Sequence, residues 1–106
     1  LMAVVAKSLQ PGTTLTDALA SVFTAGAGIS VVTGGVLSNP TTVAVSFTVQ
    51  IQRSGGTALD LIPKRSLQPN TTDLLPELSG LVMAQGDILL AEGAGIVCVL
   101  NGYALS

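Results

Sequence analysis

Apolar and polar residues alternate strictly along TTVAVSFTVQIQR, the stretch from Thr41 to Arg53. The odd positions carry the apolar set, which is Val43, Val45, Phe47, Val49 and Ile51. Successive side chains of a strand point to opposite faces, so this pattern predicts a β-strand with one face in a core. A helix would scatter the apolar set around its axis, and the many β-branched residues also favour a strand.

Other segments follow the same pattern and are predicted to be strands separated by turns. They are MAVVAKSL, closed by the turn QPGTT, then LASVFTA, ISVVTGGVLS, LDLIPKRSL, ILLAE and IVCVLNGYAL. RSGGTA is predicted to be a hairpin connection, and DLLPELSG a short extended segment. Gly34–Gly35 predicts a bulge or bend, and Pro63 places its strand at a sheet edge.

Two details qualify this assignment of strands. In TTLTDALASVF, Thr16 could cap a short helix from Asp17, whereas Val22 and Phe23 favour a strand. The sequence Gly-Ala-Gly occurs twice, each time before a β-branched run, which predicts the same hairpin turn used twice.

The segment from Leu78 to Leu105 is largely apolar and is predicted to supply two closing strands. In the last strand Ile96, Cys98 and Leu100 share one face, while Val97 and Val99 share the other. Apolar residues on both faces predict burial on both sides. One side is the core, and the other is covered either by a neighbouring subunit or by a loop.

The overall pattern is that of an all-β protein. Short strands with turn signals between them predict a single small β-sandwich or jelly roll of about eight strands. We expect one domain over residues 1–106, with residues 1–10 forming an N-terminal arm or strand.

Composition adds that the chain has an unusually uncharged surface. Only 9% of its residues are charged, the net charge is -2, and 48% are hydrophobic. Average soluble domains are about 25% charged. The polar surface is therefore built from Thr, Ser, Gln, Asn and Gly, either as a Thr-rich sheet or as a surface that other subunits cover.

The residues offer little reaction chemistry. Histidine is absent, and the one cysteine, Cys98, stands among Val and Leu without partners for zinc. The carboxylates are Asp17, Asp60, Asp73, Glu77, Asp87 and Glu92, most of them beside turns where we expect them to be solvated. We therefore predict no enzyme activity, no catalytic residue, no cofactor and no metal.

Binding signals are equally sparse. Four basic residues and three aromatic ones do not suit nucleic acid, and no apolar run reaches the length of a membrane span. Lys64 and Arg65, with Arg53 near the same hairpin, either meet an acidic partner or form a solvated edge that blocks strand pairing. Asn70 to Thr72 match a glycosylation acceptor or, as we favour, form a turn.

Several of these stretches together resemble small all-β virion structural proteins of tailed bacteriophages. The matching positions, spread over residues 20–105, are Phe23 to Ala25, Asn39, Thr42 to Ile51, Pro69 to Thr72, Leu78 to Val82 and Gly86 to Leu89. The chain departs from that pattern in having Ala-Gly-Ala-Gly in place of a Pro turn and an extra N-terminal strand, which would join a neighbour's sheet.

The resemblance implies a non-enzymatic structural part of a phage virion. The candidates are a capsid decoration (cement) protein or a head, neck or tail accessory protein. Its partners would be copies of itself and other virion proteins such as capsid or tail proteins. The alternative is a receptor- or carbohydrate-binding module of a tail fibre, for which only Phe23, Phe47 and Tyr103 could supply an aromatic platform.

Overall fold

The computed structural model describes residues 4–105, and these form nine strands and a single turn of 3-10 helix. The strands are β1 (Val4–Thr14), β2 (Ala20–Thr24), β3 (Ile29–Ser38), β4 (Val45–Gln52), β5 (Ala58–Leu67), β6 (Thr72–Asp73), β7 (Leu81–Ala84), β8 (Ile88–Glu92) and β9 (Val97–Leu105). The 3-10 turn spans Pro76–Leu78. The prediction of an all-β chain is confirmed, and residues 15–19 are not helical.

The strands make two antiparallel sheets that pack as a β-sandwich. The first sheet has the order β1-β9-β3, and the far edge of β3 pairs with β7 along its first half and with β6 at its end. The second sheet has the order β2-β8-β4-β5. The two closing strands predicted after Leu78 are β8 and β9, and β7 precedes them as a third.

The core lies between the sheets, and alternation along β4 supplies part of it. Phe47, Val49 and Ile51 are buried as predicted, whereas Val43 precedes the strand and is 61% exposed. The largest fully buried apolar side chains are Phe47, Leu37, Ile62, Leu75, Leu78, Met83, Leu89, Ile96 and Leu100. Burying each such side chain contributes about 1.5–3 kcal/mol, and this is the main force that holds the sheets together.

Both Gly-Ala-Gly turns connect the second sheet to the first. One joins β2 to β3 and the other joins β8 to β9, and neither pair of strands is hydrogen-bonded. The prediction that they are hairpin turns is therefore wrong, because each chain segment crosses the sandwich instead of folding back beside itself. RSGGTA does form a hairpin, since β4 pairs with β5.

Irregular positions in the strands fall partly where glycine and proline predict them. Pro63 lies in β5, an edge strand, where the pairing register shifts between Ile62 and Arg65. The register of β3 against β9 shifts between Val32 and Gly34, which confirms a bulge beside Gly34–Gly35. Both predictions are confirmed, because proline and glycine disturb the regular hydrogen-bond pairing of a β-sheet.

The N-terminal segment differs from the prediction. QPGTT is not a turn but the second half of β1, which pairs with β9 through two register shifts. The shifts accommodate Pro11, and an edge strand tolerates the missing N–H. Residues 4–10 of the expected arm pair within their own chain, and residues 1–3 lie outside the described residues. That the arm joins a neighbour's sheet stays a prediction.

DLLPELSG also differs from the extended segment that we expected. Leu75 has the left-handed dihedrals φ 52 and ψ 54, and the 3-10 turn follows at once. The reversal places Leu75 and Leu78 in the core at 0% exposure, while Leu74 is 67% exposed. An Asp73 carboxylate oxygen accepts a hydrogen bond from the Leu75 N–H at 2.8 Å, which fixes the start of this turn.

Candidate functional site

The cysteine lies inside the sandwich. Cys98 on β9 is 2% exposed and faces the second sheet, and burial raises the pKa of its thiol to about 11. A neutral thiol in an apolar core is a small hydrophobic side chain and a poor nucleophile. Its position agrees with the prediction from the alternation of β9.

The prediction that Asp87 is a solvated turn residue is wrong. Asp87 lies between β7 and β8 and is only 4% exposed. Its carboxylate accepts hydrogen bonds from the Ser54 N–H at 2.9 Å, from Arg53 Nη1 at 2.7 Å and from the Ala84 N–H at 3.0 Å. The Ser54 N–H, followed by Arg53, holds the pKa of Asp87 below its usual value.

A second ion cluster lies at another edge of the sandwich. Arg65 on β5 donates through Nη1 to Asp73 on β6 at 3.1 Å, and through Nη2 to Glu77 in the 3-10 turn. The hydrogen bond from Arg65 lowers the pKa of Glu77, and the two carboxylates raise the pKa of Arg65. The acidic groups that Arg53 and Arg65 meet thus belong to their own chain, while Lys64 is exposed on β5.

Asn39 is a buried polar residue. It is one of the positions that match the phage virion proteins, but the sequence assigned it no structural role. Its Nδ2 donates to the carbonyl oxygens of Val43 at 2.8 Å and Leu67 at 2.9 Å. Its Oδ1 accepts hydrogen bonds from the N–H of Thr41 at 3.0 Å and from the Thr41 hydroxyl at 2.6 Å. Asn39 therefore joins the turn before β4 to the end of β5.

The Asn70 segment is a turn, as we favoured. Asn70 has a φ of 58°, and its N–H donates to the carbonyl oxygen of Asn39 at 2.8 Å. Asparagine tolerates this left-handed conformation better than most residues do.

The three aromatic side chains do not form a shared platform. Phe47 is fully buried in the core, and Phe23 packs against the core from β2. Tyr103 lies on β9 in the first sheet and is half-buried. Within residues 4–105 there is no ligand-sized pocket and no group of acidic or sulfur side chains placed to hold a metal. The same residues include no helix with the length and apolar character to cross a bilayer.

The candidate site is instead a broad surface on the first sheet, the side that points away from the second sheet. On β9 its positions alternate with the buried Cys98 and Leu100, and they are Val97, Val99, Asn101, Tyr103 and Leu105. We call this surface the uncharged face. Besides these five positions it comprises their neighbours on β1 and β3 and the residues of β6 and β7 that pair with β3, which are Val4, Ala6, Ser8, Thr14, Ile29, Val31, Gly34, Val36, Ser38, Thr72, Val82 and Ala84.

The pairing register of the strands places apolar side chains side by side across this face. One row runs Ala6, Tyr103, Val31 and Val82 over β1, β9, β3 and β7. The next row runs Val4, Leu105, Ile29 and Ala84 over the same strands. Val4 is 68% exposed and Val82 is 52% exposed.

A polar row of Ser8, Asn101 and Gly34 crosses the uncharged face, and beyond it the face is apolar in the middle and polar at its corners. Val99 pairs with Val36, and Val97 stands between Thr14 and Ser38. Val97, Val99 and Val36 are all half-buried. Among the described residues, no position of this face carries an acidic or basic side chain.

The opposite surface, on the second sheet, carries charged and polar residues together with Ile88 and Leu90 of β8. Its rows include Gln50 beside Asp60, and Thr48 beside Glu92. Gln50 donates to Asp60 at 2.8 Å. The two sides of the sandwich therefore differ in charge, because among the described residues the outer face of the second sheet carries acidic side chains and the uncharged face carries none.

Comparison with known proteins gave one structural likeness. No protein-family model matches the sequence, and no curated protein matches it. Among solved structures, the chain is similar to one from "Structure of infectious bursal disease virus Gx strain", with a TM-score of 0.42 and 10% identity. The alignment covers 99% of this chain and 41% of that one, so the chain spans about two fifths of its neighbour's length.

Proposed function

We propose that the protein is a non-enzymatic structural component of a bacteriophage virion, either a capsid decoration protein or a head, neck or tail accessory protein. In this proposal it acts by assembly with copies of itself and with other virion proteins, and it resides in the virion. The observation that carries the proposal is the uncharged face, because an exposed sheet surface that combines rows of apolar side chains with an absence of charge is typical of a surface that another protein covers.

The residues that resemble phage virion proteins support the more specific part of the proposal. Thr42 to Ile51 coincide with β4 and the approach to it, and Gly86 to Leu89 with the turn into β8. Asn39, another matching position, holds four hydrogen bonds at the junction of β4 and β5. These positions serve the sandwich itself, and the uncharged face is then free to serve assembly.

The alternative, a receptor- or carbohydrate-binding module of a tail fibre, has less support from the geometry. Sugar-binding surfaces use exposed aromatic rings, and here Phe47 is in the core while Phe23 and Tyr103 lie on different sheets. Binding on a glycan array that Tyr103→Ala abolishes would favour this alternative over the assembly role.

The composition of purified particles tests the proposal. Virions from a host that produces this protein are banded by density, treated with nuclease and high salt, and analysed by quantitative mass spectrometry. We expect the chain at a fixed ratio to the major capsid protein, in a copy number that reflects particle symmetry. A chain that is abundant in the lysate and absent from the particles contradicts the proposal.

A further inference from the structure

The uncharged face is large enough for a weak contact between two chains. Its end rows are four strands wide, and β9 contributes nine residues along its length. With strands about 4.8 Å apart and residues about 3.4 Å apart, the face covers roughly 500 Å². Two such faces would together bury about 1,000 Å², which is the lower limit for a specific interface and suits a weak, reversible dimer.

We infer that two copies of the chain pack through their uncharged faces around a two-fold axis. A two-fold contact brings each surface patch against itself, so a patch with charges of one sign meets charges of the same sign on its copy. The uncharged face avoids that repulsion because its described residues carry no charge. Asn101 in the middle of β9 is compatible with its own copy, since an amide both donates and accepts hydrogen bonds.

The outer face of the second sheet does not meet this requirement. Asp60 and Glu92 both lie on it, and a two-fold contact there would bring each carboxylate towards its own copy or the other one. Like charges placed together across an interface cost several kcal/mol. The second sheet therefore suits solvent or a basic partner, and the first sheet suits a second copy.

Packing through the uncharged face would give a four-layer assembly. Sheets that pack face to face lie about 10 Å apart and keep their strands within about 30° of each other. Tyr103 would then be the aromatic anchor of the contact, flanked by Val31 and Ala6, and aromatic residues are enriched in the buried centres of interfaces. This inference rests on the proposed assembly role and names the surface that performs it.

Sedimentation equilibrium of the purified chain tests the inference. We expect a dimer, and we expect Val82→Lys and Val99→Lys to raise its dissociation constant by about tenfold or more, because each places two like charges in the contact. Val82 is 52% exposed in the single chain, so Val82→Lys should leave the fold intact. The matched control is Val43→Lys, which makes the same change at a residue 61% exposed and outside the face.

Three results overturn the inference. They are a wild-type chain that stays monomeric at millimolar concentration, an odd-numbered oligomer, and a dimer whose dissociation constant is unchanged by Val82→Lys and Val99→Lys. Circular dichroism of each variant separates loss of the contact from loss of the fold. The test needs only the purified chain, so it is independent of the virion experiment. A chain that dimerises but is absent from virions contradicts the proposed function while still supporting the dimer contact.

Discussion

The carboxylate of Asp87 accepts a hydrogen bond from Arg53 at 2.7 Å, and this contact joins two turns that are 34 residues apart in the chain. Asp87 lies between β7 of the first sheet and β8 of the second, and Arg53 follows β4 of the second. Arg53 also donates to the carbonyl oxygen of Val82 on β7 at 2.8 Å. The pair therefore fixes one end of the sandwich by linking its two sheets.

Asp87→Asn should destabilise the protein. The amide keeps the size of the side chain, but it weakens the bond to Arg53 and turns an NH₂ group towards the N–H of Ser54 or Ala84. We expect the melting temperature to fall by several degrees in differential scanning calorimetry. Asp17→Asn removes the same charge at an exposed position and should leave the melting temperature nearly unchanged. Equal effects of the two substitutions would contradict this role of Asp87.

Stability should fall in acid. The folded structure lowers the pKa of Asp87 and of Glu77, so their contribution is fully present above the ordinary carboxyl pKa of about 4. That contribution is lost as the pH falls through the lowered pKa of the folded state, when the carboxylates become protonated. Between pH 8 and 5.5 stability should be nearly constant, since the chain has no histidine.

Urea unfolding at pH 7, 5 and 3 measures this dependence. We expect similar midpoints at pH 7 and 5 and a clearly lower one at pH 3. The drop should be smaller in Asp87→Asn, which has lost one of the two groups. A midpoint that rises on going to pH 3 is the opposite of what the lowered pKa values require.

Two adjacent glycines should respond differently to alanine. A Cβ at Gly35 would lie 2.7 Å from both the Leu100 side chain and the Val99 carbonyl oxygen, whereas a Cβ at Gly34 meets nothing within 4 Å. Crowding of this kind typically costs about 1–3 kcal/mol. We expect Gly35→Ala to lose that much free energy of unfolding in urea titrations, and Gly34→Ala to change it by less than about 0.5 kcal/mol. Equal losses at the two positions would contradict the close packing at Gly35.

Cys98 should be protected from thiol reagents in the folded protein. Its side chain is 2% exposed, and burial raises its pKa to about 11, so little thiolate is present at neutral pH. We expect labelling by a chromogenic disulfide at pH 8 to be orders of magnitude slower than in the same protein unfolded in guanidinium. Native labelling at the unfolded rate would mean that β9 is not held in the core.

The sequence predicts local features of this fold well. Alternation along β4 identifies Phe47, Val49 and Ile51 as core, and Pro63 marks an edge strand. Both signals are local, because strand period and the missing proline N–H act on neighbouring residues.

Features that depend on distant parts of the chain are not visible in the sequence. The Gly-Ala-Gly turns were expected to be hairpins because nothing local indicates which sheet the next strand joins. The carboxylate of Asp87 is buried by partners 33 and 34 residues away. The uncharged face likewise emerges only when register places Val31 and Val82 beside Tyr103, although Val97 and Val99 already indicated a second apolar side of β9.

Cryo-electron microscopy of purified virions tests the central claim most directly, because it shows which surface of the sandwich another protein covers. The account predicts density for this chain on the particle, with the uncharged face against a second copy and the second sheet's outer face, which bears Asp60 and Glu92, turned to solvent or to another virion protein. Particles without this chain, or a chain whose uncharged face is open to solvent, would contradict it.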